Sequence, residues 1–234
     1  MARFSKMKNI ENVLFLTQAR LESQRVPRKM VRPFCGTNLL DILIEKIKKS
    51  NIIPTENFYL SVCDDELIDI AERNDVNYFR RSRSSALAEN DIPLIYEWHD
   101  KLPFDYVCLL SACNPLLKIE TIDAFIQAFL KSDEEGMFGV IAKKQYFWNE
   151  EGKMISAWPK DQKIMNTKTM GITYEAAHCL YASRMDIIKD GFWMDNKLPP
   201  EPELFEIKNE LEIFDIDYEW QFTVGEKLYP LFKK

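Results

Sequence analysis

Short apolar runs alternate along this chain with segments of helical period, and few folds accommodate that rhythm. Residues 12–18 (NVLFLTQ) predict a buried strand. Residues 39–50 then place Leu39, Leu40, Leu43, Ile44 and Ile47 on one helical face. Residues 57–63 return as a strand, and Asp64, Asp65 and Glu66 load acid onto the first turn of a helix ending near Asn74. A short strand at 76–79, a helix at 93–101, an apolar strand at 106–112, a helix at 119–131 and a strand at 138–143 follow. Strands recur at 178–182 and 212–216, flanking a Pro/Glu-rich loop at 198–203, and a helix at 218–229 closes the pattern. This alternation predicts an α/β protein with a doubly wound, mostly parallel sheet and helices on both faces. With 234 residues the expectation is one domain over 1–234. The pattern breaks at 145–175, an excursion holding Tyr146, Phe147, Trp148 and Trp158, expected to be a dimer arm or a lid.

Such sheets bind ligands beyond the carboxyl ends of their strands, so the loops there carry the functional argument. The chain has seven glycines, and no two fit G-x-G-x-x-G or Walker spacing, which excludes both glycine-rich phosphate loops. Phosphate, if bound, is held by charge. The loop after the first strand, residues 19–32, carries five positive charges and one negative in a chain whose net charge is −6. Arginine grips phosphate oxygens with two donors and lysine acts as a point charge, so a stiff basic loop suits a polyanion such as a triphosphate. A solvated basic loop is the alternative. Near the other end, Asp215 and Asp217 alternate along the expected strand end and share a face. Two such carboxylates suit Mg²⁺, which takes one or two plus substrate phosphates. An N-cap aspartate with an unrelated neighbour is the plainer reading.

Other classes are excluded by composition. A net acidic chain argues against nucleic acid and anionic membrane surfaces as partners. Five scattered cysteines without C-x-x-C read as reduced thiols, with neither a disulfide framework nor structural zinc. With no apolar leader at residues 1–6 and no long apolar run, the expected setting is soluble and cytoplasmic.

The residues Ala19-Arg20-x-x-Ser23-x-Arg25-Val26-Pro27-x-Lys29 resemble the signature loop of the cytidylyltransferases that activate acidic sugars, the CMP-sialic acid (acylneuraminate) and CMP-Kdo synthetases. Residues 61–70 are similar to the family's S-x-D-D-E-x-I-x-x-I segment, and 78–91, with Arg80, Arg81 and Arg83, to R-R-P-x-x-L-A-x-D. Residues 109–116 resemble LLQPTSPL, and 214–220 the closing IDT-P-E-D segment. The resemblance implies a Rossmann-like nucleotidyltransferase fold. The implied reaction joins CTP to a nonulosonic or ulosonic acid, releases pyrophosphate and depends on Mg²⁺. Carried over, Arg20 and Lys29 hold the triphosphate and Asp215 and Asp217 bind the metal, with Arg20, Lys29 and Asp217 catalytic. Leu16, Ala19, Ser23 and Arg83 join the nucleotide site, and Ser111, Asn114 and His178 face the sugar. A homodimer is implied through the excursion.

The chain departs from the pattern in places. Leu21-Glu22 replaces Gly-Gly and Met30 replaces Asn in the sialic-type loop, and Arg25-Val26-Pro27 is closer to the Kdo type. Cys113 stands where the Kdo type has a metal-binding Asp, Ser111 where the pattern has Gln, and His178 where N-G-A-x-Y has Gly. The nucleotide half is retained and the sugar half altered. His178 reads either as a core histidine or as a sugar contact, and Cys113 as a buried inert thiol or one facing the metal. The aromatics of 146–158 read as packing or dimer contacts. Two rival functions use the same residues: a glycosyltransferase built on D-x-D, for which the basic loop has no role, and a non-catalytic binding subunit, which needs no metal carboxylates.

Overall fold

The computed structural model describes residues 8–232. Seven strands form one sheet in the order β3-β2-β1-β4-β6-β5-β7. β1 (Val13–Gln18) pairs in parallel with β2 (Phe58–Val62) and with β4 (Tyr106–Leu110), the central strand, and β2 pairs in parallel with β3 (Asn77–Arg80). β6 (Thr173–Arg184) runs antiparallel to both β4 and β5 (Met137–Lys143), and β7 (Glu203–Glu206) is parallel to β5. The mostly parallel α/β sheet expected from the alternation is present, with β6 reversed.

β1 shows how residue order makes the two faces. Val13 and Phe15 join the core formed with α1 (Leu39–Lys48), α2 (Asp65–Arg73) and α5 (Ile119–Lys131). Leu14 and Leu16 join Trp98, Val107, Met185 and Ile188 on the opposite face. A strand buried on both faces reads as a near-continuous apolar run, which is why Val13–Leu16 show no polar alternation and the buried Thr17 donates its hydroxyl to the Leu110 carbonyl. The helices start where local chemistry says they should. Asn38 accepts a hydrogen bond from the Asp41 amide at 2.8 Å, and Ser82 caps the short α3 (Arg83–Leu87) through Ser85. α4 (Ile92–Ile95), capped by Asp91, is shorter than the helix expected over 93–101; the chain turns after it to bury Trp98 completely.

An expected strand near the carboxyl end is absent, and an unexpected one forms just before it. Residues 212–216 are not a strand: Asn209 caps a 3₁₀ turn, Glu210–Ile213, and residues 214–218 run extended into α6 (Glu219–Phe232). Glu212 is buried there because its carboxylate accepts from the Lys118 amide at 3.1 Å. The loop expected at 198–203 is irregular through Pro202, and β7 follows from Glu203 along the outer edge of β5. α6 is held by a second core in which Phe34 packs edge-on to Phe222 and Tyr229, at 5.3 and 5.7 Å. Gly225 permits this approach, since a Cβ there would lie 3.2–3.3 Å from Ile216 and Phe34. The excursion between β5 and β6 has little regular structure; the Tyr146 ring is tilted against those of Trp148 and Trp158, at 6.2 and 5.8 Å.

Candidate active site

The sheet order reverses direction between β1 and β4, so the loops leaving those two strands face each other across the crevice where α/β sheets take ligands. The loop after β1 is folded by its own contacts. The Leu21 carbonyl accepts from the amides of Ser23 (2.8 Å) and Arg28 (3.2 Å), and Asp64 receives the Leu21 amide at 3.1 Å. Val26 is buried in the α6 core, pinning the middle of the loop and leaving its basic side chains around a cleft of about 300 Å³.

Arg20, Ser23, Arg25 and Lys29 line that cleft together with Gln18 and Arg81. Arg20 donates to the Ala86 carbonyl at 2.8 Å and Gln18 to the Ile95 carbonyl at 2.9 Å. Arg81 is 6% exposed and donates to the Ala19 carbonyl at 2.8 Å, with its Nε buried and without a partner among the described residues. Burial presses its pKa below the ordinary arginine value, and the neighbouring Arg20 adds to this. Ser85, Ala86 and Ala88 keep the far wall small.

Not every candidate lies here. Leu16 is fully buried within the sheet, and Ala19, nearly as buried, gives its carbonyl to Arg81. Arg83 lies outside the cleft lining, exposed and paired with Glu22. The cause is local: Ser82 is the N-cap of α3, so Arg83 begins the helix while Arg81 ends the strand connection. Arg81 stood in the same run of sequence, but nothing in that run distinguishes the buried arginine from the exposed one. Arg25 and Gln18 were equally visible as residues, but not as neighbours.

The second half of the site joins segments almost two hundred residues apart. Lys29 Nζ donates to the Ile216 carbonyl (2.8 Å) and to Asp217 Oδ1 (3.1 Å), and Arg25 meets Asp217 Oδ2 at 2.9 Å. The Ile216 amide in turn donates to the Cys113 carbonyl at 2.9 Å. Asp217 therefore does not cap α6; Gln221 does, its Oε1 accepting from the amides of Asp217 and Tyr218 at 2.8 Å each. Burial alone would lower the Lys29 pKa, but Cys113 and Asp217 hold it above the ordinary lysine value. The Cys113 thiol is pushed up by burial, against the pull of Lys29. Asp215 is pushed up to about 6, first by burial and then by Asp217, against the pull of Lys29, Arg25 and His178. Its Oδ1 is buried without a partner among the described residues.

His178 is exposed rather than a core histidine, and it adopts φ +52° where the β5–β6 register shifts. Its ring lies 5.9 Å from that of Phe138 and within 3.4 Å of the Tyr181 hydroxyl. Ser111 Oγ accepts from the Cys113 amide at 3.1 Å. Asn114, 2% exposed, donates to the Ile213 carbonyl at 3.1 Å, and its Oδ1 is buried without a partner among the described residues. Asn114 thus braces the segment carrying Asp215.

Relatives bear on this arrangement. Over 232 residues the chain is 25% identical to the pseudaminic acid cytidylyltransferase of Campylobacter jejuni, covering 93% of this chain and 96% of that protein. It is 30% identical over 122 residues to the spore coat polysaccharide biosynthesis protein SpsF of Bacillus subtilis, a match spanning about half of each chain. The solved structure of CMP:2-keto-3-deoxy-manno-octonic acid synthetase complexed with CTP superposes with TM-score 0.68 over 94% of this chain and 99% of that one, at 12% identity, a likeness of fold. The cytidylyltransferase family model matches residues 14–189, from β1 through the reversed strand β6. The chain therefore belongs to the cytidylyltransferase family and is a nucleotidyltransferase.

Proposed function

We propose that the protein transfers CMP from CTP to an acidic sugar of the nonulosonic or ulosonic class and releases pyrophosphate. The observation that carries this reading is the meeting, across one crevice, of a cation-lined cleft with the Asp215–Asp217 pair. A relative covering nearly the whole chain is named for such an acceptor. In the reaction an acceptor hydroxyl oxygen bonds to the α-phosphorus and loses its proton, while the bond to the β-phosphate bridging oxygen breaks. Little covalent help is needed; charge neutralisation and alignment do the work.

In this reading Arg20 and Arg25 face the triphosphate with guanidinium donors to spare, and Arg81 and Gln18 set the floor for the base. Lys29 lines the same cleft and contributes its charge. Ser111, His178 and Tyr181 lie on the acceptor side. The residues fit Mg²⁺: Asp215 offers a buried oxygen without a partner beside a second carboxylate. Among the described residues no three His, Cys, Asp or Glu side chains could hold an ion by themselves, so substrate phosphates would complete its shell. When bound, the ion would lower the cost of bringing an alkoxide towards phosphorus. Exposed Ile155, Ile164 and Trp148 on the excursion support a homodimer through that arm. Among the described residues no helix is long and apolar enough to cross a membrane.

The test is thermal stabilisation by CTP, UTP, ATP and GTP, each with and without Mg²⁺. A ligand at about 100 times its dissociation constant adds about 2.7 kcal/mol. A CTP-selective shift enhanced by Mg²⁺, followed by pyrophosphate release with an acidic sugar, is the expected result. A shift with another nucleotide alone, or none at all, rejects the proposal.

A further inference from the structure

Residues 214–218 carry both aspartates and belong to no strand or helix, so contacts with other segments set their place. Three hydrogen bonds tie this stretch and the turn before it to the connection between β4 and α5. The Ile216 amide donates to the Cys113 carbonyl at 2.9 Å, Asn114 Nδ2 to the Ile213 carbonyl at 3.1 Å, and the Lys118 amide to the Glu212 carboxylate at 3.1 Å. Asp215 lies between the first two of these, which come from consecutive residues. Its own Oδ1 is buried without a partner among the described residues, so the backbone on either side decides where that oxygen lies. Asn114 is itself firmly held. Its carbonyl accepts the Leu117 amide at 3.1 Å, and the carbonyl of the next residue, Pro115, accepts Lys46 Nζ at 2.5 Å. With 2% of its surface exposed, Asn114 offers almost nothing to a sugar arriving from solvent.

We propose that Asn114 is a positioning residue for Asp215, holding the Ile213 carbonyl so that the carboxylate two residues on meets the metal and the substrate phosphates; this rests on the function proposed above. The role replaces the sugar contact that the resemblance implies for this residue. A carboxamide suits the task, since it donates from the second atom beyond Cβ. A serine hydroxyl ends one atom sooner and, on the same backbone, falls short of the Ile213 carbonyl. An alanine has no donor, and an aspartate would set an oxygen against that carbonyl. Holding a backbone carbonyl also leaves the Asp215 oxygens open to an ion, whereas a bond to the carboxylate itself would compete with one.

The experiment compares the wild type with Asn114→Ala and Asn114→Ser. The first readout is hydrogen exchange of the Ile216 amide in metal-free, nucleotide-free protein. The second is Mn²⁺ binding in the presence of CTP, read by electron paramagnetic resonance. The third is kcat and KM for the acidic sugar at saturating metal. In Asn114→Ala the Ile216 amide is expected to exchange at least fivefold faster, while the amides of α5 stay within twofold of the wild type. The Mn²⁺ dissociation constant rises about tenfold, the scale on which groups behind a metal ligand act. The kcat falls at least fivefold, and KM for the sugar stays within twofold. Asn114→Ser follows Asn114→Ala, because it lacks the reach. A sugar KM raised severalfold with Mn²⁺ binding unchanged would make Asn114 a sugar contact and overturn the proposal. Wild-type exchange at Ile216 overturns it as well, and so does faster exchange with unaltered Mn²⁺ binding, the mark of a merely structural bridge. Should Asn114→Ala not fold, Asn114→Ser decides by the same readouts. The exchange measurement needs neither metal nor substrate, so its failure is separable from a failure of wild-type protein to bind CTP.

Discussion

Arg81 donates to the carbonyl of Ala19 at 2.8 Å from inside the cleft, while Arg83, two residues on, points away to Glu22. The pair separates a cleft-lining arginine from a surface one. Arg81→Met removes a desolvated cation whose Nε is still without a partner, and hydrogen bonds to charged groups contribute about 1.5–3 kcal/mol. CTP affinity, measured by titration calorimetry, is expected to fall more than tenfold. Arg83→Ala breaks an exposed ion pair and leaves that affinity within twofold. Equal effects of the two substitutions would reverse the assignment.

Asp215 links the site to pH. Its pKa of about 6 in the folded protein stands above the ordinary carboxylate value of 3.8, so between these values the folded state binds more protons than the unfolded one. Its contribution to stability therefore falls as pH rises through that window, and the cost is complete above about pH 6. Allowing for partial solvent screening, the cost is about 2 kcal/mol. In EDTA, Asp215→Asn is expected to exceed the wild type in stability by about this amount at pH 7.5, and by much less at pH 4. Urea unfolding at the two pH values decides the matter, since a pH-independent difference would mean that the carboxyl is not desolvated as described.

The sheet was legible where hydrophobic period and burial coincide. Residues 119–131 show an uninterrupted helical stripe and form α5 with those bounds. Residues 203–206 (ELFE) and 212–216 (EIFDI) look alike, each with an apolar pair set between two acids. Only the first forms a strand, because the free edge of β5 lies beside it, whereas Asn209 turns the chain just before the second. Tertiary pairing decides such cases, and no local signal carries it. The site divides in the same way. The charges of the 19–32 loop announced a cleft, but the convergence of Arg25, Lys29 and Cys113 on residues 216–217 depends on how distant segments close on each other.

His178 occupies a left-handed backbone position that favours glycine, at φ +52°. Replacement by glycine relieves about 1 kcal/mol of backbone strain and gives most of it back through the greater freedom of the unfolded chain. His178→Gly is accordingly expected to melt within two or three degrees of the wild type, by roughly that balance. CTP affinity should be unchanged and KM for the acidic sugar raised severalfold. A large fall in melting temperature with unaltered KM would make His178 a packing residue.

Ile155 and Ile164 are 67% and 71% exposed on the excursion, beside the half-exposed Trp148 and Trp158. Large apolar side chains left in contact with water on one segment are unfavourable unless something covers them, and exposed apolar surface of this kind marks interaction sites. A second copy of the chain is the proposed cover. The wild type should then sediment as two copies of the 27.6 kDa chain, and the double variant Ile155→Asp/Ile164→Asp as one. The introduced carboxylates would be buried without partners in a dimer, at a cost of several kcal/mol each, whereas in a monomer they are solvated. Sedimentation velocity over a concentration series reads the difference. A wild type that stays monomeric at every concentration would remove the dimer, and a double variant that still pairs would move the interface off this arm.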